Sequence, residues 1–301
     1  MFLNGEEIFL DDTEINFSKD KCFAKINKRL TLRLDINELK ATALDDRGKK
    51  ANVRHKLVYE KDIGVGEFYA LLIAIQDYPH PSLNSLDYPI QDALRFKSVL
   101  IELYSFPLEN INFLKNPDRA TIIRKFVDLR KRITDEDNLL IFYAGHGYWD
   151  KEISQGYWIT SKASKEDRVE WISNGTVRDY VTGIKSKHTL VISDACFSGG
   201  IFKTRNIDEI KTIPIPELYK LKSRKAMTSG NMKAVPDRSV FLEYLVKILE
   251  QNKNKYISAG QLYTDLREPV SEISPTKQMP QYRVIPGAED KGGDFIFFRK
   301  R

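Results

Sequence analysis

His146 and Cys196 are the side chains whose surroundings suit acyl transfer at a thiol. His146 lies in Tyr143-Ala-Gly-His-Gly147 and Cys196 in Asp194-Ala-Cys-Phe-Ser-Gly-Gly200, each directly after an apolar run of strand length. The thiolate is the nucleophilic form of cysteine, and an imidazole can take the thiol proton and later return it to a leaving group. Small neighbours let a substrate backbone come close, and glycine loops can aim amides at a developing oxyanion. Alone, a cysteine after a buried strand is more often a small core residue, and a histidine among glycines more often a turn residue. Together the two favour the chemical reading. Cys22, His55, His80 and His188 lack such a context, and no His or Cys spacing suits zinc, so neither a metal nor a cofactor is expected.

Both motifs need strands whose ends lie side by side. Phe68–Ile75 is a continuous apolar run of the kind a parallel strand buried on both faces shows, and buried strands follow at Leu139–Tyr143 and Thr189–Ser193. Between them, Pro89 opens a helix with Ile90, Ala93, Phe96, Leu100 and Leu103 at helical spacing, and a second helix carries Ile122, Phe126, Leu129 and Ile133. Later, Asp237 suits the N-cap of a helix bearing Phe241, Leu245 and Leu249, Ser258 suits another, and Gly293–Phe298 reads as a last strand. Strands alternating with helices predict an α/β domain over 67–301, a mostly parallel sheet with helices on both faces. In such sheets ligands bind beyond the carboxyl ends of the strands, where both motifs fall. The stretch before, residues 1–62, reads as short alternating segments broken by polar turns, a small all-β module. Its Leu39–Gly48 stretch resembles the late strands of bacterial immunoglobulin-like domains. Ile201–Leu221, with two prolines near its end, is the least structured stretch of the larger domain.

Composition excludes some classes. Hydrophobic residues make up 42% and charged residues 30%, ordinary for a globular chain. The net charge of +6 is mild and spread out, so no nucleic-acid partner is expected. Apolar runs are far shorter than the roughly 18 residues a membrane helix needs, and the acidic start lacks the basic region of a signal peptide. No membrane partner and a cytoplasmic location are the expectations. With two distant cysteines, no disulfide framework is implied.

A Gly-His-Gly after one strand and an Ala-Cys-x-x-Gly after another, about fifty residues later, resembles the caspase layout. The chain is similar to prokaryotic caspase-like peptidases of the class that includes metacaspases, over about residues 67–300. The likeness includes Asp92 in the first helix, Trp171–Asn174, Gln278–Tyr282 and Gly292–Phe297. The resemblance implies a fold with Cys196 as nucleophile, His146 as its base, and the backbone amides of Gly147 and Cys196 as the oxyanion hole, with no third acidic member. Asp194 stands where caspases carry Gln, as in metacaspases, and Asp92 matches a metacaspase pocket residue. The two carboxylates imply a pocket for Arg, then Lys, on the N-terminal side of the scissile bond. Phe197 departs from the His usual in metacaspases. Lys203 replaces the Asp that calcium-dependent metacaspases carry, which implies activity without calcium. The 201–224 segment, with Lys203, Arg205, Lys211, Lys220, Lys222 and Arg224, corresponds to the loop that many family members cleave on activation; a merely solvated Lys-rich loop is the alternative.

Two other readings stay open: a non-catalytic caspase-like scaffold or regulatory protein, and a different thiol chemistry such as small-molecule amide hydrolysis. The expected partner is a protein or peptide substrate, with a regulatory partner at the β module as a further option.

Overall fold

Asn4 and Gly5, both at positive φ (51° and 85°), make the tight turn between the first two short strands. The computed structural model describes residues 1–10, 15–17, 24–26, 28, 30, 35–44, 47–59, 66–195, 214–230 and 238–300. Two compact units emerge, Met1–Gly64 and Val65–Arg301. In the first, β1 (Phe2–Leu3), β2 (Glu6–Glu7), β5 (Asp35–Leu44) and β6 (Lys50–Tyr59) form an antiparallel sheet in the order β2-β1-β5-β6. β3 (Ile15–Phe17) pairs with β4 (Ala24–Ile26).

The second unit is built on a six-stranded sheet. Its strands are β7 (Phe68–Ala74), β8 (Ile111–Lys115), β9 (Asn138–Ala144), β13 (His188–Asp194), β14 (Ser223–Thr228) and β16 (Gln281–Val284), in the order β16-β14-β13-β9-β7-β8. Neighbours from β8 to β14 run parallel, while β16 is antiparallel to β14. Every residue of β9 and of β13 is buried, as in parallel strands covered on both faces.

Alternate residues of these strands face different helices. Leu71, Ile73, Leu139, Ile141, Tyr143 and Val191 share one core with Ile122, Phe126 and Leu129 of α2 (Arg119–Arg132) and Val177 and Val181 of α3 (Asn174–Gly183). Phe142 instead meets Phe96 of α1 (Pro89–Leu103) edge-on, with ring centres 5.4 Å apart. α5 (Val240–Gln251) packs on α1, and α6 (Ala259–Ile273) on α5. The expected α/β class, with a sheet covered by helices and a small all-β sheet before it, is therefore what the chain adopts. Among the described residues, no helix is long and apolar enough to cross a membrane.

Two details correct the sequence reading. The N-cap of α5 is Ser239, whose hydroxyl accepts from Leu242 N–H, while Asp237 lies outside the described residues. The loop expected over 201–224 also ends early: Ile215–Lys220 is helix α4, and Arg224 lies within β14, fully buried. The Arg224 guanidinium donates to the carbonyls of Ile184, Ser186, Lys187 and Ser223, a role for a long cationic side chain that its Lys-rich neighbourhood in sequence hides. Burial lowers its pKa to about 10. His188 is the structural residue expected. It is buried, with Nε2 bonded to the Tyr219 carbonyl of α4 and Nδ1 to the Ser223 hydroxyl.

Strand order reverses between β7 and β9: from β7 the chain steps outward to β8 and then returns to the other side. The crevice beyond the carboxyl ends of β7 and β9 is thus the place where a parallel sheet of this kind opens to a ligand.

Candidate active site

The ends of three strands are stitched together at that crevice. Ile75 N–H donates to the Ala144 carbonyl at 2.9 Å, and Gly145 N–H donates to the Asp194 carbonyl at 3.4 Å. His146 therefore emerges from β9 beside the residue that ends β13. Glycine suits position 145, because a Cβ there would lie 2.8 Å from the Tyr78 hydroxyl and 3.0 Å from that of Tyr143, at a φ of +157°.

His146 itself is half-buried, and its Nε2 lies 2.7 Å from the backbone carbonyl oxygen of Asn84. A carbonyl can only accept, so Nε2 carries the proton and Nδ1 is left with the lone pair. That is the tautomer a general base needs, fixed by a main-chain group rather than by a carboxylate. Tyr78 packs its ring on the imidazole, with centres 4.6 Å apart. The backbone of His146 is held as well: its N–H donates to the Tyr78 hydroxyl at 2.8 Å, and its carbonyl accepts from the Tyr143 hydroxyl at 2.6 Å.

Gly147 opens β10 (Gly147–Asp150), which pairs antiparallel with β11 (Gln155–Ile159), itself paired with β12 (Trp171–Ser173). Ile159 N–H bonds to the His146 carbonyl, and antiparallel rungs alternate between bonded and unbonded pairs. The Gly147–Trp158 rung is then the unbonded kind, and the Gly147 N–H points away from β11. A donor so directed is available to an oxyanion. Trp171–Asn174, singled out in the sequence, forms β12 and the start of α3.

Asp194 is buried, and its Oδ1 makes no hydrogen bond among the described residues. Burial raises its carboxyl pKa, and the nearby hydroxyls of Ser239 and Ser229 offset this only in part. An uncompensated buried carboxylate is costly unless a cation or donor reaches it. Asp92 lies in the first turn of α1, half-buried, in the helix that follows the loop carrying Asn84. The topology thus brings His146, Gly147, Asp194 and the start of α1 to the carboxyl end of the sheet. Cys196 follows Asp194 by two residues and, like Cys22, lies outside the described residues.

Sequence reasoning did not find Asn84 or Tyr78. Asn84 acts through its carbonyl, which every residue type carries, so no side-chain signal exists. Tyr78 follows the first buried strand much as His146 follows β9, and that parallel placement was the available clue.

Residues 67–286 match the family model described as the caspase domain of the C14 peptidases. Over 217 residues, 65% of the chain, the sequence is 28% identical to metacaspase-6 of Arabidopsis thaliana, and it spans only 56% of that protein's length. Among solved structures, the Drosophila initiator caspase Dronc superposes with a TM-score of 0.53 at 11% identity, covering 72% of this chain and 79% of its own. Caspase-1 of Spodoptera frugiperda gives 0.52 at 16%, covering 74% and 91%. A protein from Geobacter sulfurreducens gives 0.52 at 12%, covering 76% and 100%. At such identities the structural likeness shows the fold alone.

Proposed function

The chain belongs to the caspase domain family of cysteine peptidases, and from that premise we propose that it is an endopeptidase cutting after Arg, and less well after Lys, through Cys196 and His146. The observation that carries this reading is the Asn84 carbonyl at His146 Nε2, which leaves Nδ1 free to take a proton. Cys196 is two positions after Asp194, so the chain can carry it no more than about 7 Å from the strand end beside which His146 emerges.

The chemistry follows from these groups. His146 Nδ1 takes the Cys196 thiol proton, and the thiolate sulfur attacks the scissile carbonyl carbon. The carbonyl electrons move to oxygen, which the amides of Gly147 and Cys196 receive. As the C–N bond breaks, the proton on Nδ1 goes to the leaving amine. Water, deprotonated by His146, then attacks the thioester carbonyl carbon; the C–S bond breaks, the acid leaves, and the proton on Nδ1 returns to the Cys196 sulfur.

Asp194 supports the basic preference. Its buried oxygen, without a partner among the described residues, would be satisfied by a guanidinium, which can bond a carboxylate in pairs, whereas a Lys ammonium supplies only a point charge. Asp92 is the second carboxylate of the pocket. Activation cuts belong among Lys203, Arg205 and Lys211, since Lys220 sits in α4, Lys222 is paired with Glu289 and Arg224 is buried within β14. The testing experiment compares fluorogenic peptides ending in Arg, Lys, Asp and Leu on purified protein. The expected order is Arg, Lys, then the other two near background; a preference for Asp overturns the pocket assignment.

A further inference from the structure

The ladder between β10 and β11 is broken at its first rung. Beyond the Gly147–Trp158 pair lie His146 and Ile159, which by alternation should exchange two backbone bonds. One is made, Ile159 N–H to the His146 carbonyl at 3.1 Å. In place of the other, His146 N–H reaches the Tyr78 hydroxyl at 2.8 Å, and that hydroxyl reaches the Ile159 carbonyl at 3.3 Å.

The direction of each bond is forced, because the amide can only donate and the carbonyl can only accept. Tyr78 Oη therefore accepts from His146 and donates its one proton to Ile159. The phenol thus bridges two groups that a regular rung would join directly. Tyr143 serves the same pair: its hydroxyl donates to the His146 carbonyl, accepts from Ile159 N–H at 3.2 Å, and lies 3.1 Å from the Ile159 carbonyl that Tyr78 also reaches.

The same loop grips His146 at a second point. Tyr78 and Asn84 belong to one segment, closed by Leu86 N–H to the Gln76 carbonyl at 2.9 Å and braced by Tyr78 N–H to the Ser85 hydroxyl at 3.2 Å. One end of the segment holds the His146 backbone N–H, and the other holds imidazole Nε2. With backbone and ring tip both fixed, the Cα–Cβ direction and the ring rotation of His146 are set together.

We propose that Tyr78 is a positioning residue for His146, its hydroxyl inserted in the β10–β11 ladder to aim the imidazole at its reacting partner. This rests on the reading of His146 as the general base. Without the hydroxyl, His146 N–H can close directly onto the Ile159 carbonyl, which turns the residue and draws Nε2 off Asn84. A hydroxyl that merely satisfied buried groups would contribute to stability without acting on turnover selectively.

The test uses the full chain with Tyr78→Phe, which keeps the ring. The proposal predicts that kcat on an Arg-terminated fluorogenic peptide falls about 10- to 100-fold, as misplacement of a reacting group by about 1 Å does, with KM changed less than about twofold. It also predicts that Tyr78→Phe adds nothing to the loss in His146→Ala. Wild-type kcat in Tyr78→Phe, with His146→Ala inactive, overturns the positioning role alone. Substantial turnover in His146→Ala overturns the general-base reading and this proposal with it. Should Tyr78→Phe fail to fold, 3,5-difluorotyrosine at position 78 keeps the shape but acidifies the phenol. Its phenolate still accepts from His146 but can no longer donate to Ile159, so activity should fall as pH rises through the phenol's titration. A pH profile identical to wild type overturns the proposal.

Discussion

The Asn84 carbonyl oxygen accepts a hydrogen bond from His146 Nε2 at 2.7 Å, so a main-chain group takes the orienting place that a carboxylate fills in many triads. This fixes the neutral tautomer with the proton on Nε2. Nitrogen-15 NMR of histidine-labelled Cys196→Ala protein should show neutral His146 with Nε2 protonated and Nδ1 bare. A predominance of the Nδ1–H form would contradict the assignment of Nδ1 as base.

Gly145 lies where two phenols converge on the start of the His146 loop. Ala at this position would set a Cβ 2.8 Å from the Tyr78 hydroxyl, 3.0 Å from that of Tyr143 and 3.2 Å from the Ile75 carbonyl. Overpacking of this kind costs about 1–3 kcal/mol. Gly145→Ala should therefore lower the urea midpoint by a corresponding amount and reduce kcat with it. Full activity at unchanged stability would show that the phenols yield freely.

Much of this site was legible in the sequence, and the limits have physical causes. The apolar runs that became β9 and β13 announced buried parallel strands, and the two motifs at their ends followed from that. β8 and β14 escaped notice because their runs are short and interrupted by Asn112 and Lys225. The hairpin of β10 and β11 escaped because its strands are partly buried and rich in Gly, Tyr and Trp, without clean alternation. Arg224 looked like a loop cation because sequence cannot show the four carbonyls that gather round it. Asn84 and Tyr78 act through a backbone oxygen and a hydroxyl whose partners lie in another element.

Asp194 should matter to basic substrates far more than to neutral ones. A charge-assisted bond of about 1.5–3 kcal/mol corresponds to roughly 10- to 150-fold in kcat/KM. Asp194→Ala should lose about that much on an Arg-terminated peptide and little on a Leu-terminated one, and Asp92→Ala should show the same pattern to a smaller extent. Equal losses on both peptides would make Asp194 a structural residue.

His188 makes the fold sensitive to acid. Burial pushes its pKa from the usual 6.5 down to about 3, so the folded chain keeps it neutral where the unfolded chain binds a proton. Stability from this group is whole above pH 6.5 and is lost as pH falls from there towards about 3. The slope is at most about 1.4 kcal/mol per pH unit. Urea midpoints from pH 7 to 4 should fall more steeply for wild type than for His188→Gln. Parallel curves would contradict the buried neutral imidazole.

If Cys196 and His146 act in one acyl-transfer step, their losses should not add, which turnover of an Arg-terminated fluorogenic peptide by Cys196→Ala, His146→Ala, the double variant and Cys22→Ala, each checked for folding by circular dichroism, reads directly. Both single variants should fall to background, the double variant should fall no further, and Cys22→Ala should match wild type. Substantial turnover in folded Cys196→Ala would contradict that shared step.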